Sequence, residues 1–342
     1  MENASFFINS TLDNLTMKPT APTENRTLDY PVVIVLCIVL GLGSIFGTTG
    51  NTLVVSSIIK FENLRAIPDL FIFSLSISDL LVSALYQPLK AYRIAHLSDD
   101  STVMKFVISI SAFLGYVALI ASITNMLGVT VERLMSIRFP LKYGLLVTKT
   151  RAVVTLICIW VFSIAYGGIW SEDLAPATYL SSYFVAVLLG TILIYVYIFV
   201  VASRLERSVA QVQNTSTREQ RTGFRRERKA AKTIAVILGV AIVCWVPLLV
   251  VPRVIASYVH NTTYFTILNL LQVLSVCNSS INPYIYCVRS RRYYEAFVKL
   301  LGLHHLVKVQ AIVAPTCTPR GEVSRTRDVT DIVQPETHDI AL

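Results

Sequence analysis

From Phe106 to Val131 the chain runs through 26 consecutive residues without a charged side chain, closed by Lys105 at one end and by the adjacent pair Glu132 and Arg133 at the other. As an α-helix at 1.5 Å per residue, that run is about 39 Å long, enough to cross a bilayer with some tilt. Further apolar runs of about 20 residues bring the total to seven. They are placed at Pro31 to Ile59, Pro68 to Ala95, Val103 to Ile137, Ala152 to Trp170, Tyr179 to Ser203, Ala230 to Tyr258 and Thr263 to Val288. Only 15% of the 342 residues are charged and 54% are hydrophobic. A water-soluble domain carries about 25% charge, so lipid is the better solvent for this chain. The expected fold is all-α, a seven-transmembrane helix bundle.

Charge gives the bundle a direction. Arg204 to Lys232 holds nine basic residues against three acids, whereas Met1 to Tyr30 holds two basic and four acidic. Basic residues gathered on alternate loops mark the cytosolic side of a membrane protein and speak against nucleic acid as the partner of a chain with net charge +9. Four acceptor sequons, at Asn3, Asn9, Asn14 and Asn25, crowd the stretch before the first span, and a further one opens at Asn261. Glycosylation acceptors place that stretch outside the cell. Seven crossings then leave the C-terminus inside. No cleaved signal peptide is read at the start. The expected divisions are an extracellular glycosylated segment over 1–30, the seven-span body over 31–288, an amphipathic surface helix over 289–302 and a disordered cytoplasmic tail over 303–342. Five of the six cysteines lie in or at the ends of apolar runs and Cys317 lies in the tail, so no outer disulfide framework is expected.

Ionisable and amide side chains inside spans are costly, which makes them functional candidates. Asp79, in "LSISDLLVSA", is the clearest. Ser122 in the third span and Asn278, Ser279 and Asn282 in the seventh offer oxygen donors of the kind that suits a small cation such as sodium. Asn51 adds a further amide. Pro247 and Pro283 each remove a helix hydrogen bond beside these polar groups and are read as kinks.

Asn51, "SLSISDLL" with Asp79, "VERL" with Arg133, Trp160, "CWVP" with Trp245 and Pro247, and "NPYIY" with Asn282, Pro283 and Tyr286 fall in register, one marker in each span but the fifth. Together they resemble the rhodopsin-like (class A) family of G-protein-coupled receptors over roughly Val32 to Leu301. The fifth span lacks the family's mid-helix proline but keeps Tyr195. Ile108 stands where the third span of the family begins with a cysteine, which resembles the melanocortin, lysophospholipid and cannabinoid cluster. "FENLRAIPDLFIFSLSISDLLVS" is equally similar to melatonin and adenosine receptors, so the subfamily stays open.

The resemblance implies a receptor that takes an extracellular ligand and activates a heterotrimeric G protein. Receptor kinases and arrestin are expected at the tail hydroxyls, and membrane lipid around the bundle. A multi-span transporter or channel is the alternative, against which stands the lack of matching halves. No enzyme is read: the histidines lie in loops or tail, and no catalytic constellation occurs in the spans. No cofactor is expected beyond sodium as a modulator. Retinal is excluded because Thr263 to Val288 contains no lysine for a Schiff base. The implied switch comprises Glu132, Arg133, Glu227, Tyr195, Tyr286, Asn282, Pro283, Trp245 and Pro247, with Arg133 tied to Glu227 at rest. Ala241 replaces the family's common phenylalanine below Trp245. The implied ligand pocket comprises Gly115, Tyr116, Leu119, Tyr179, Tyr183, Phe184, Trp245, Leu248, Leu249, Arg253, Gln272, Lys90 and Arg93. Gly115 stands where aminergic receptors carry an aspartate, so the expected ligand is neutral or anionic and partly apolar, a small molecule, lipid or peptide. The expected home is the plasma membrane.

Overall fold

The computed structural model describes residues 28–171, 177–211, 218–255, 258–259 and 261–303; the side chains of 170, 177–181, 202–211, 218–235, 253 and 261 fall outside that description. The expected segment over 1–30 and tail over 303–342 lie almost wholly beyond it. Among the described residues every regular element is helical. Seven long helices run in order: α1 Tyr30–Lys60, α2 Ile67–Ala95, α3 Thr102–Arg138, α4 Lys149–Ser171, α5 Ala177–Gln211, α6 Arg218–Ile255 and α7 Asn261–Arg289. A short α8, Arg291–Leu300, follows. Six of the seven are apolar and long enough to cross a bilayer, and α6 contributes the apolar stretch Val236–Pro252.

The sequence dictates these helices in a way water would forbid. α1 buries Leu36, Leu40, Gly47, Asn51, Val54 and Ile58 along one stripe, yet its opposite side is just as apolar. Ile38, Ile45 and Phe46 stay more than half exposed there. A helix that is hydrophobic all round belongs in lipid. Its end comes at Lys60, where Phe61 turns extended. α3 starts on Ser101, whose Oγ accepts the Met104 N–H at 3.2 Å. This Ser cap answers one of the open donors of the first turn.

α3 is the central post and touches α2, α4, α5 and α6, while α7 closes the ring against α1, α2 and α6. Small residues let the helices approach. A Cβ on Gly47 would stand 2.6 Å from Ser83 Cβ of α2 and 2.8 Å from Ser280 Oγ of α7. One on Gly167 of α4 would meet the Val117 backbone nitrogen of α3 at 2.9 Å. Without a hydrophobic drive between helices in lipid, such close backbone packing is a main source of cohesion. Trp160 of α4 adds a bond from Nε1 to Ser74 Oγ of α2 at 2.9 Å.

Two helices are longer than their apolar runs. α5 continues to Gln211 rather than stopping at Ser203, and α6 begins at Arg218 rather than Ala230. Hydropathy marks only the part of a helix that lies in lipid, whereas Glu, Arg, Lys and Gln carry a helix onward into water. α6 also stops at Ile255, three residues before the expected Tyr258. A widened π turn, Leu81–Tyr86, interrupts α2 directly ahead of Pro88, and the Gln87 N–H reaches back to the Val82 carbonyl. Proline has no N–H to offer the turn behind it, so that turn cannot keep the regular ladder.

Candidate functional site

Among the described residues, two cavities stand out inside the bundle. The first holds about 620 Å³ of empty space between α2, α3, α6 and α7. The second, about 280 Å³, lies beside α5. Leu119, Ser122 and Trp245 border both, so the Trp245 indole stands where the two meet. Phe184 packs against that indole with ring centroids 4.9 Å apart.

Of the residues expected around a ligand, Gly115, Tyr116, Leu119, Trp245, Leu248 and Gln272 line the first cavity. Phe184 lines the second. Tyr183 does not line either: its hydroxyl shares a 2.7 Å hydrogen bond with Thr124 Oγ1, and its ring meets Tyr166 and Phe162. Leu249 packs with Ile123, Met126 and Leu188 instead. Lys90 is buried behind the lining and donates from Nζ to Gln272 Oε1 at 2.5 Å. Arg93 reaches Ser111 Oγ at 3.0 Å. The side chains of Tyr179 and Arg253 lie outside the described residues. The sequence reading passed over Val82, Tyr86, Ser275 and Val276, which also line the cavity. Their signal was present: Val82 and Tyr86 precede Lys90 at steps of four on α2, and Ser275 and Val276 follow Gln272 by three and four on α7.

Below the cavities lies a buried polar layer. Asp79 is fully buried, and Asn282 Nδ2 donates to its Oδ2 at 2.8 Å. Ser279 stands beside the same carboxylate. Asn51 Nδ2 donates to the Gly47 carbonyl at 2.9 Å and to the Ser279 carbonyl at 3.0 Å, which stitches α1 to α7. Several acceptors here have no donor: Asp79 Oδ1, Asn278 Oδ1 and Asn282 Oδ1 are all buried without a hydrogen-bond partner. Unmet oxygens gathered around a carboxylate are the donor set a hard cation takes. Ser122, also expected in that set, borders the cavities above, and Asn278 lines the second. The residues present therefore fit a small monovalent cation. Among the described residues no cluster of three His, Cys, Asp or Glu occurs that would hold a transition metal.

At the Arg133 end of the bundle the expected pair is formed: Arg133 Nε lies 3.1 Å from Glu132 Oε2. The Tyr143 hydroxyl, from the connection after α3, donates to Glu132 as well. Tyr195 packs near Phe71, Val129 and Ala152. Tyr286 is buried beside Tyr293 of α8, with centroids 5.8 Å apart. Pro247 and Pro283 sit inside α6 and α7, which run on through them. The Glu227 side chain lies outside the described residues.

One cluster was not foreseen. Asp69, in the first turn of α2, is buried and accepts from Arg292 Nη1 at 3.2 Å, Arg292 Nη2 at 3.3 Å and the Tyr293 hydroxyl at 3.0 Å. Its own α2 N-terminus contributes the Ala66 N–H at 3.2 Å, and Arg292 also bonds the Asn63 carbonyl at 2.9 Å. Burial, with the Asp69 charge beside it, holds the Tyr293 phenol well above its ordinary pKa. An acid in a first helical turn reads from sequence as a favourable dipole contact only. Nothing local names a partner more than two hundred residues away.

Seven helices around a closed polar layer, with a cavity above and an acid–arginine pair at one end, define a membrane receptor bundle. A family model described as 7 transmembrane receptor (rhodopsin family) matches residues 50–286, and the chain belongs to that family. It is similar to melanocortin receptor 5 of Rattus norvegicus, with 27% identity over 308 residues covering 87% of this chain and 92% of that one. Melanocortin receptor 5 of Sus scrofa is 28% identical over 294 residues, covering 83% and 98%. The alpha-1A adrenergic receptor of Oryzias latipes is 27% identical over 320 residues, covering 80% and 68%. The protein is thus a multi-pass G-protein-coupled receptor and not an enzyme.

Proposed function

We propose that this receptor is switched by a neutral or anionic, partly apolar extracellular ligand in the cavity between α2, α3, α6 and α7. The observation that carries the reading is the place of Trp245, which borders that cavity and also the one reaching Asn278 beside the Asp79 layer. A ligand that favours one packing of Trp245 shifts the balance of helix arrangements by its differential affinity, and nothing else is needed. The names of the relatives, melanocortin and adrenergic, point in different directions, and neither is carried over. For an amine, α3 offers Gly115 and no acid between Phe106 and Val131. Leaving a buried ammonium unpaired is costly.

In this reading the N-terminal segment over 1–30 is extracellular and glycosylated, the segment over 303–342 is cytoplasmic, and the protein resides in the plasma membrane. α8 within 289–302 lies on the inner leaflet. Receptor kinases and arrestin act on the tail. Sodium occupies the Asp79 layer at rest, held by Asp79 with Ser122, Asn278, Ser279 and Asn282. Arg133 is held by Glu132 and, across the opening, by Glu227. Nucleotide loading on a panel of purified G-protein heterotrimers tests the switch. The wild type is expected to load one class, and Arg133→Ala to lose loading at matched membrane level. Equal loading by both would rule out Arg133 as the coupling group.

A further inference from the structure

Lys90 is only 4% exposed, within a membrane-crossing helix, five residues before α2 ends at Ala95. An ammonium has three donors. Among the described residues the hydrogen bond it makes is the one to Gln272 Oε1, a neutral amide, at 2.5 Å, and no carboxylate pairs with it. The nearest acids along the chain are engaged elsewhere. Asp99 Oδ1 accepts the Ser101 N–H at 2.9 Å, and Asp100 pairs with Lys105 at 3.5 Å. Arg93, one turn beyond Lys90, adds a second positive charge at the same end.

A buried cation facing only an amide has given up water without gaining a counter-charge. Gln272, which holds it, is itself a wall of the 620 Å³ cavity. Lys90 does not line the cavity itself, so the Gln272 amide stands between the ammonium and that space. Beneath this end the wall is apolar, with Val82, Leu119, Leu248, Val276 and the Trp245 indole.

We propose that the ligand is an anionic amphiphile, whose carboxylate or phosphate pairs with Lys90 while its apolar body lies along Val82, Leu119, Leu248 and Val276 toward Trp245. This deepens the reading of the cavity as the ligand site and rests on it. Gln272 then acts as a gatekeeper, occupying the ammonium until an anion replaces it.

The experiment uses the full-length receptor in neutral detergent, with thermal stability and G-protein nucleotide loading as readouts. One panel contains straight-chain fatty acids and their methyl esters; the other contains lysophosphatidates and the matching monoacylglycerols. One anionic panel is expected to raise the melting temperature and drive loading, with its uncharged counterparts about 10- to 100-fold weaker, the range of a charge-assisted bond. Activity of the acids alone assigns a free carboxylate, and of the lysophosphatidates alone a lipid phosphate. Lys90→Met is expected to erase the preference for charge, and Lys90→Arg to keep it. Gln272→Glu supplies an internal counter-anion and is expected to weaken the anion by a similar factor. That variant decides the matter if Lys90→Met fails to reach the membrane. Equal potency of esters and acids, unchanged anion potency in Lys90→Met, or no stabilisation by either panel overturns the proposal. If ligand-free loading still depends on Arg133 in that event, the receptor switch stands and only the anion assignment falls.

Discussion

Gly47 brings α1 so near α2 and α7 that even a methyl group tests the packing. The added Cβ would meet Ser83 Cβ at 2.6 Å, Ser280 Oγ at 2.8 Å and Ser280 Cα at 3.2 Å, so two helices must give way. Gly47→Ala is expected to destabilise by about 1–3 kcal/mol, the usual cost of overpacking. Gly41, two turns earlier, has nothing within 4 Å of such a Cβ, so Gly41→Ala should hold or raise the melting temperature. Similar losses in both variants would mean that backbone freedom, and not contact, is what glycine supplies. Asp79 is the other single residue on which a measurement turns. If its unmet Oδ1 and those of Asn278 and Asn282 hold sodium, agonist affinity should depend on sodium in the wild type and not in Asp79→Asn. Sodium dependence that survives the substitution, or is missing from the start, removes the cation from the account.

The proposed switch belongs to whole helices. α6 begins at Arg218, so Glu227 stands within a continuous helix that runs to the Trp245 level. A tie from Glu227 to Arg133 would couple the two ends through one rigid element. Such couplings are typically about 1–3 kcal/mol. Glu227→Ala should then raise ligand-free signalling at matched surface level, and a flat basal signal would exclude the tie. Elements are also where legibility from sequence divides. The seven spans were readable because lipid demands long apolar runs, and their centres fall where the helices are. The extensions of α5 and α6 were not, since a charged helix in water gives no hydropathy signal. In the cavity, Gly115, Tyr116 and Leu119 of α3, Trp245 and Leu248 of α6 and Gln272 of α7 were named because motifs fixed their depth. Val82, Tyr86, Ser275 and Val276 were passed over although they lie at helical steps from Lys90 and Gln272, because periodicity says which residues share a face and not whether that face meets a cavity. Tyr183 was misplaced for a simple reason: one hydroxyl on α3, Thr124, draws it away.

Across the whole molecule, the arrangement of charge predicts a direction that the membrane itself can report. Enzymatic deglycosylation should shift the gel mobility of the wild type, and mutation of Asn3, Asn9, Asn14 and Asn25 together should abolish that shift. An epitope at Leu342 should be reachable only after permeabilisation; staining of intact cells would reverse the sidedness. The five cysteines among the described residues are free, so reducing agent should leave surface folding and ligand response intact. Loss of response under mild reduction would count against free thiols at these five positions. The Asp69 cluster sets the mechanics of the Arg133 end. Arg292 and Tyr293 clasp Asp69 of α2, and Phe297 and Ala296 share a buried cluster with Val54 and Ile58 of α1, so α8 is anchored to both helices. The short helix is riveted to its neighbours rather than hung from the end of α7. A partner that presses on α8 therefore loads α1 and α2 as well, and the push on one short helix is spread over two long ones.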